Sequence, residues 1–421
     1  MNAARLNVVH TRVASANIPA ALLLLAAVLA APRARADVVT DWNRIATQVA
    51  TEAKFPPPLA NRALAQVQTA VYVAVNAITR EYPANKPLVK APAGASLNAA
   101  VASANYVMLL RLLPVEQAPA VKAAYEAALE RIADGKGKRD GIQVGKLAAA
   151  AVVAARANDV IEPVESYRPA TQPGVYVPTS LPAVPNWPQR TPWLLENAAQ
   201  LRPGPPPAMS SETWARDYNE IKSLGGKTST ARTQAQTDLA HFWEANMPII
   251  YYGVVQSVAD QPGREPTRNA RLMMAVAQAM DDALIAVFEA KYHYNFWRPI
   301  TAIRNGDRDV NEATVRDPSW LPFIDTPMHP EYPCAHCIVS AAMGAVLKAE
   351  VGSDPLPVLA TTSYTANGAR REWKDIDAFV LEVSEARIYD GVHFRTSTEV
   401  GREMGQKVGE LSAARYLQPP P

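Results

Sequence analysis

Cysteine is almost missing from this chain. Among 421 residues there are only Cys334 and Cys337, so a disulfide framework is excluded as the source of its stability. Long apolar runs are equally scarce. One extends from Ile18 to Ala31, short of the about 20 residues that a membrane span requires, and no other segment reads as transmembrane. Few segments are β-branched, and the apolar stretches are dominated by alanine, which favours helix over strand. Hydrophobic residues still make up 48% of the chain, which predicts a sizeable core rather than disorder. The length allows one large domain or two ordinary ones.

The first 36 residues read as an export signal. Arg5 and Arg12 form a basic region, Ile18 to Ala31 an apolar one, and Ala34-Arg35-Ala36 offers the small residues that a signal peptidase selects. Cleavage after Ala36 is expected, giving a periplasmic or secreted chain with no stable membrane anchor. It would also remove four arginines and no acids. The 42 lysines and arginines then fall to 38, against 40 acids. A near-neutral mature chain gives no case for nucleic-acid binding.

What is present is helical periodicity in two blocks. Residues 37–160 are expected to form an N-terminal bundle, with helices near 59–78, 95–112, 115–132 and 137–158 after a first one opened by Asp41-Trp42. Residues 161–209 contain twelve prolines at 163–207, interleaved with Tyr167, Tyr176, Trp187 and Trp193. Proline at that density forbids regular helix, and the aromatics predict an ordered crossover packed on a surface. Residues 210–421 are expected to form a second bundle, with helices near 211–222, 231–244, 267–292, 335–351, 373–388 and 397–415. Thr396 and Glu399 read as a capping box for the last. The fold class expected is all-α: two helical bundles joined by a Pro-rich crossover.

Three short segments of the second block carry chemistry. In Lys291-Tyr-His-Tyr-Asn-Phe-Trp-Arg298-Pro299 the two cations are seven positions apart. Seven steps of about 100° place them on nearly one helix face. Aromatic neighbours predict burial, where an unpaired charge is costly and an anion between the cations would relieve the repulsion. In Tyr332-Pro333-Cys334-Ala335-His336 a helix start offers free amides, a ready anion site, with His336 in the first turn. In Ala386-Arg387-Ile-Tyr-Asp-Gly-Val-His393, Gly391 allows a break so that Arg387 and His393 both turn inward. Arginine gives permanently charged recognition of an oxyanion. Histidine in a loop suits a nucleophile or a metal ligand.

Together these spacings resemble the signature shared by vanadium-dependent haloperoxidases and type 2 phosphatidic acid phosphatases. That pattern is Lys, six residues, Arg-Pro; then Pro-Ser-Gly-His; then Ser-Arg, five residues, His. The three blocks fall in the right order between 291 and 393. Phe296-Trp297-Arg298-Pro299, the length and the N-terminal bundle look more like the haloperoxidase branch. The resemblance implies that Lys291, Arg298 and Arg387 bind the equatorial oxygens of vanadate, which phosphate can replace. The Ala335 amide and the Cys334 side chain would add hydrogen bonds. His336 would be the acid–base residue, and His393 the vanadium ligand. Lys291 would polarise bound hydrogen peroxide, which oxidises a halide to hypohalous acid. In the phosphatases the counterpart of His393 attacks the phosphorus of a phosphate ester. His329 stands where bromoperoxidases of the family carry a second histidine, which favours bromide or iodide. Asn246 matches a family aspartate that braces the counterpart of Arg387.

The chain departs from the pattern at four positions. Cys334 replaces serine, Ala335 glycine and Ala386 serine, and Ser397 stands where the family has aspartate four residues after the histidine. A thiol at 334 is a weaker donor than a hydroxyl. Among cations at a helix start it would ionise and oxidise readily, unless bridged to Cys337. Cys-Ala-His-Cys is also a C-x-x-C pattern, so a thiol–disulfide oxidoreductase is an alternative of another class, although the strand–helix alternation of such proteins is missing. A non-catalytic oxyanion-binding protein is a further alternative.

Overall fold

The computed structural model describes residues 37–83, 88–159 and 167–418. The export signal expected at 1–36 lies outside them. The first block contains α1 (Val38–Glu52), α2 (Pro57–Thr79), α3 (Leu97–Leu112), α4 (Ala118–Glu130) and α5 (Lys136–Ala155). The second contains α6 (Glu212–Leu224), α7 (Gln234–Trp243), α8 (Pro248–Ala259), α9 (Pro266–Tyr294), α10 (Pro299–Arg304), α11 (Ala335–Val351), α12 (Ile376–Tyr389) and α13 (Arg395–Tyr416). The fold is all-α apart from one antiparallel hairpin, β1 (Leu359–Ser363) with β2 (Ala369–Trp373). No helix among the described residues is long and apolar enough to cross a membrane.

Local chemistry sets most boundaries. Asp37, rather than Asp41, opens α1, its carboxylate accepting from the amides of Val39 and Thr40 at 2.8 and 2.9 Å. Proline stands at the first turn of α2, α8, α9 and α10, where its missing N–H costs nothing. Pro248 and Pro299 therefore begin helices. Thr396 and Glu399 form no capping box, because α13 begins at Arg395. Distant carboxylates cap that helix instead: the Phe394 amide donates to Glu331 Oε1 at 3.0 Å, and the Thr396 amide to Asp217 at 2.9 Å.

The 29-residue α9 is the spine. It packs against α2 on one side and α11 and α13 on the other, so helices from both blocks share one hydrophobic core. Two buried acids on α9 pin the crossover. Asp282 accepts from the amides of Trp193, Leu194 and Leu195 at 2.7–3.0 Å. Asp281 accepts from Trp193 Nε1 at 2.7 Å and from Arg62 of α2 at 2.6 Å. Paired this way, the buried charges tie three parts of the chain together, and loss of one partner would leave a costly unpaired ion.

Two backbone approaches place the C-terminal elements. Along α13, Gly401, Gly405 and Gly409 face carbonyls of α11, where an added Cβ would lie 2.7, 2.2 and 2.3 Å from an oxygen. That fixes the start of α11 against α13. The loop after α12 is set by Gly391, whose φ is +79° and whose Cβ would lie 2.2 Å from the Gly225 carbonyl oxygen. Gly391→Ala adds left-handed strain to overpacking and is expected to cost roughly 2–3 kcal/mol. Gly204, with nothing within 4 Å of its Cβ position, is the control. Urea unfolding of both alanine variants checks this; equal midpoints would refute it.

Candidate functional site

The three segments converge where α9 ends and α11 and α13 begin. Lys291, in the last turn of α9, is fully buried. Its Nζ donates to the carbonyls of Pro330 and Glu331 at 3.0 and 2.8 Å. A third ammonium proton remains. Burial pushes the amine well below its usual range, and Arg298 adds to the effect.

Lys291 and Arg298 do not share a helix face. Asn295 adopts a left-handed conformation with φ 48° and ends α9, so Arg298 reaches the site as the residue before α10. Its guanidinium donates from Nε to the His329 carbonyl at 2.9 Å and from Nη1 to the Val392 carbonyl at 2.8 Å. Nη1 also lies 3.2 Å from His393 Nε2, and Nη2 lies 2.9 Å from His329 Nδ1. Burial lowers its pKa to about 10.

At the start of α11 the two cysteines form a disulfide, Cα to Cα 5.4 Å. Both are fully buried, and Cys334 Sγ accepts from the Cys337 amide at 3.2 Å. This corrects the expectation that the Cys334 side chain donates to an oxyanion, because a bridged sulfur has no proton to give. The backbone takes over: the amides of Ala335 and His336 open the helix with no acceptor among the described residues. The His336 ring bonds the Ala245 carbonyl, and its Nε2 is buried with no partner. Burial and then Arg387 hold this histidine well below its usual pKa, so it is neutral.

Arg387, on the last turn of α12, donates from Nη1 to the Trp243 carbonyl at 2.8 Å. It is ion-paired to Asp390 at 2.5 Å, and its Nε is buried without a partner. The expected brace, Asn246, is elsewhere. It is exposed and bonds the Tyr364 hydroxyl through its amide at 3.0 Å. Asp390 stands in its place, three residues after Arg387, a spacing at which helical side chains meet. That signal was readable in the sequence.

His393 lies in the loop between Gly391 and α13. Its Nδ1 is 2.8 Å from Glu331 Oε1, so Nδ1 carries the proton and Nε2 presents a lone pair. Burial, with Arg298 and Lys291 next in effect, keeps its pKa well below normal. Glu331 and Asp390 are both raised to about 7 by burial, against the pull of Lys291 and Arg387 respectively. His329 is partly buried, edge-on to Phe288 with ring centroids 5.1 Å apart. Beneath the site, Trp214, Phe296, Trp297, Tyr332 and Phe394 form a separate apolar cluster.

Three buried cations, Lys291, Arg298 and Arg387, thus face two buried carboxylates, Glu331 and Asp390. Two buried nitrogens there have no partner, Arg387 Nε as a donor and Nε2 of the neutral His336 ring as an acceptor. That donor set fits a tetrahedral oxyanion such as vanadate or phosphate.

Residues 271–419 match the family described as the VCPO second helical-bundle domain. No curated protein matches the chain. Among solved structures, a bacterial vanadium-dependent iodoperoxidase superposes with a TM-score of 0.76 at 23% identity, covering 91% of this chain and 97% of that one. A holo-type bacterial vanadium-dependent chloroperoxidase superposes with a TM-score of 0.70 at 18% identity, covering 86% of this chain and 93% of that one. Residues 271–419 thus match a second helical-bundle domain of that family model, and over the superposed part of the chain the fold is that of these vanadium-dependent haloperoxidases.

Proposed function

We propose that this protein is a vanadium-dependent haloperoxidase-like enzyme. Its overall reaction would be H2O2 + Br− + H+ → HOBr + H2O, with bromide or iodide as the halide. The observation that carries this reading is the buried triad Lys291, Arg298 and Arg387, with the Arg387 Nε donor left without a partner. Vanadate, when bound, supplies the Lewis-acid activation of peroxide. The chain's own residues do the rest. The two arginines, already fixed by carbonyl acceptors, direct their remaining N–H groups at the oxyanion. Lys291 holds one proton towards the same space. The helix-start amides of Ala335 and His336 add neutral donors. His393 Nε2 serves as the metal ligand, and the neutral His336 takes and returns a proton at Nε2.

A second reading shares this site. His393 Nε2, unprotonated and held from behind by Glu331, is also suited to attack phosphorus, so the protein would be an acid phosphatase acting through a phosphohistidine. The oxidoreductase reading is weakened by the complete burial of both sulfurs, since thiol–disulfide exchange needs access for an attacking thiolate. The bridge fits an exported chain, because disulfides persist in oxidising compartments.

Purified mature protein loaded with orthovanadate is expected to brominate a phenol-type dye with peroxide. Without vanadate it should show little phosphate-ester hydrolysis. Hydrolysis without bromination would select the phosphatase instead. His393→Ala is expected to weaken orthovanadate binding by at least about tenfold in calorimetry, and an unchanged affinity would refute the ligand assignment.

The pH dependence follows from His336. A histidine whose pKa is depressed keeps its base form down to below pH 6.5, so the acidic limb of kcat/KM that His336→Ala removes should lie under that value, apart from any titration of Glu331 and Asp390 near 7. His336→Ala should reduce turnover by roughly 10²–10⁴-fold. A limb centred above pH 7 would contradict this.

Replacing both cysteines, Cys334→Ser with Cys337→Ser, introduces a hydroxyl at the helix start. Turnover is expected to be kept or raised; its abolition with the fold intact would return the chemistry to the sulfurs.

A further inference from the structure

The histidine at 393 is followed four residues later by Ser397, whose Oγ is 3.4 Å from Nδ1. That contact is long and uncharged, yet Nδ1 is not left to it. We propose that Glu331 is the positioning residue of His393, holding its ring in the Nδ1–H tautomer and aiming Nε2 at the oxyanion. The inference rests on the reading of His393 as the group that meets the oxyanion.

Four contacts carry it. Glu331 Oε1 accepts from His393 Nδ1 at 2.8 Å and from the Phe394 amide at 3.0 Å, so one oxygen orients the ring and the backbone beside it. The Glu331 carbonyl accepts from Lys291 Nζ at 2.8 Å, and its amide donates to the Phe296 carbonyl at 2.9 Å. Glu331 is therefore the point where the segments bearing Lys291, Arg298 and His393 meet. Its side chain is fully buried, and Oε2 has no hydrogen-bond partner. A carboxylate is not kept in such a place for solubility. Lys291 and Arg298 supply the positive field that offsets its burial. An acceptor bonded to one ring nitrogen decides which nitrogen is free, and here the free one is Nε2, on the side of Arg298.

The test uses the mature full-length chain with ¹⁵N-labelled histidine, the His393 ring signals being assigned with His393→Gln. The wild-type ring is expected to be neutral with the proton on Nδ1. Glu331→Ala should lose that preference and bind orthovanadate about 10–100-fold more weakly. Glu331→Gln keeps an acceptor and shape, so it should keep the tautomer. The double variant Glu331→Ala/Ser397→Asp restores a carboxylate within reach of Nδ1. It is expected to recover both the tautomer and the affinity to within about threefold, which a merely structural glutamate would not predict. An Nε2–H tautomer in the wild type overturns the proposal. So does an unchanged tautomer and affinity in a folded Glu331→Ala chain. If the wild type binds neither orthovanadate nor inorganic phosphate but Glu331→Ala still shifts the tautomer, the haloperoxidase reading falls and the positioning by Glu331 stands.

Discussion

Burying Lys291, Arg298 and Arg387 within reach of one another is unfavourable twice over, through lost hydration and through mutual repulsion. Much of the neighbouring architecture answers that problem. Lys291 and the arginines donate to the carbonyls of Pro330, Glu331, His329, Val392 and Trp243, so each cation is gripped by backbone that is itself fixed. Glu331 and Asp390 set two carboxyl groups among them, both raised to about 7 by burial. A bound oxyanion would relieve the repulsion among the cations. Because these donors are already oriented, little reorganisation stands between the free and bound states, which is the physical basis of electrostatic preorganisation.

The rigidity of that arrangement comes from elements outside the site. α9 carries Lys291 at one end and Asp281 and Asp282 nearer its middle, so the acids that pin the crossover lie on the same spine as the lysine. The glycines of α13 bring its backbone onto α11 and fix the helix start that supplies Ala335 and His336. Gly391 and Gly225 bring two loops into backbone contact and set the height of Val392 and His393. None of these residues touches the site, yet each determines where a donor points.

The sequence displayed the five polar residues clearly, since Lys291, Arg298, His336, Arg387 and His393 lie in short segments with fixed order. It displayed the route to convergence less well. The shared helix face expected for Lys291 and Arg298 fails at Asn295, because a left-handed residue there ends α9 and turns Arg298 back by another path. Pro248 and Pro299 stand at helix starts, since proline suits the first turn as well as it forbids the middle. The two buried carboxylates were missed for different reasons. Asp390 had a helical spacing to Arg387 that could have displaced Asn246. Glu331 had no periodic signal, because an acid in an irregular loop reads as solvated until the fold encloses it. The state of Cys334 and Cys337 was likewise a three-dimensional fact.

Arg298 and His329 are joined twice, through the histidine's carbonyl at 2.9 Å and its ring at 2.9 Å. The residue proposed to influence the halide is thus also a restraint on the guanidinium proposed to grip the oxyanion. Under that proposal, substituting it would alter selectivity and cofactor retention together. A lineage or an engineer moving this chain from one halide to another would meet a trade-off, and compensation would have to come from a new acceptor for Arg298.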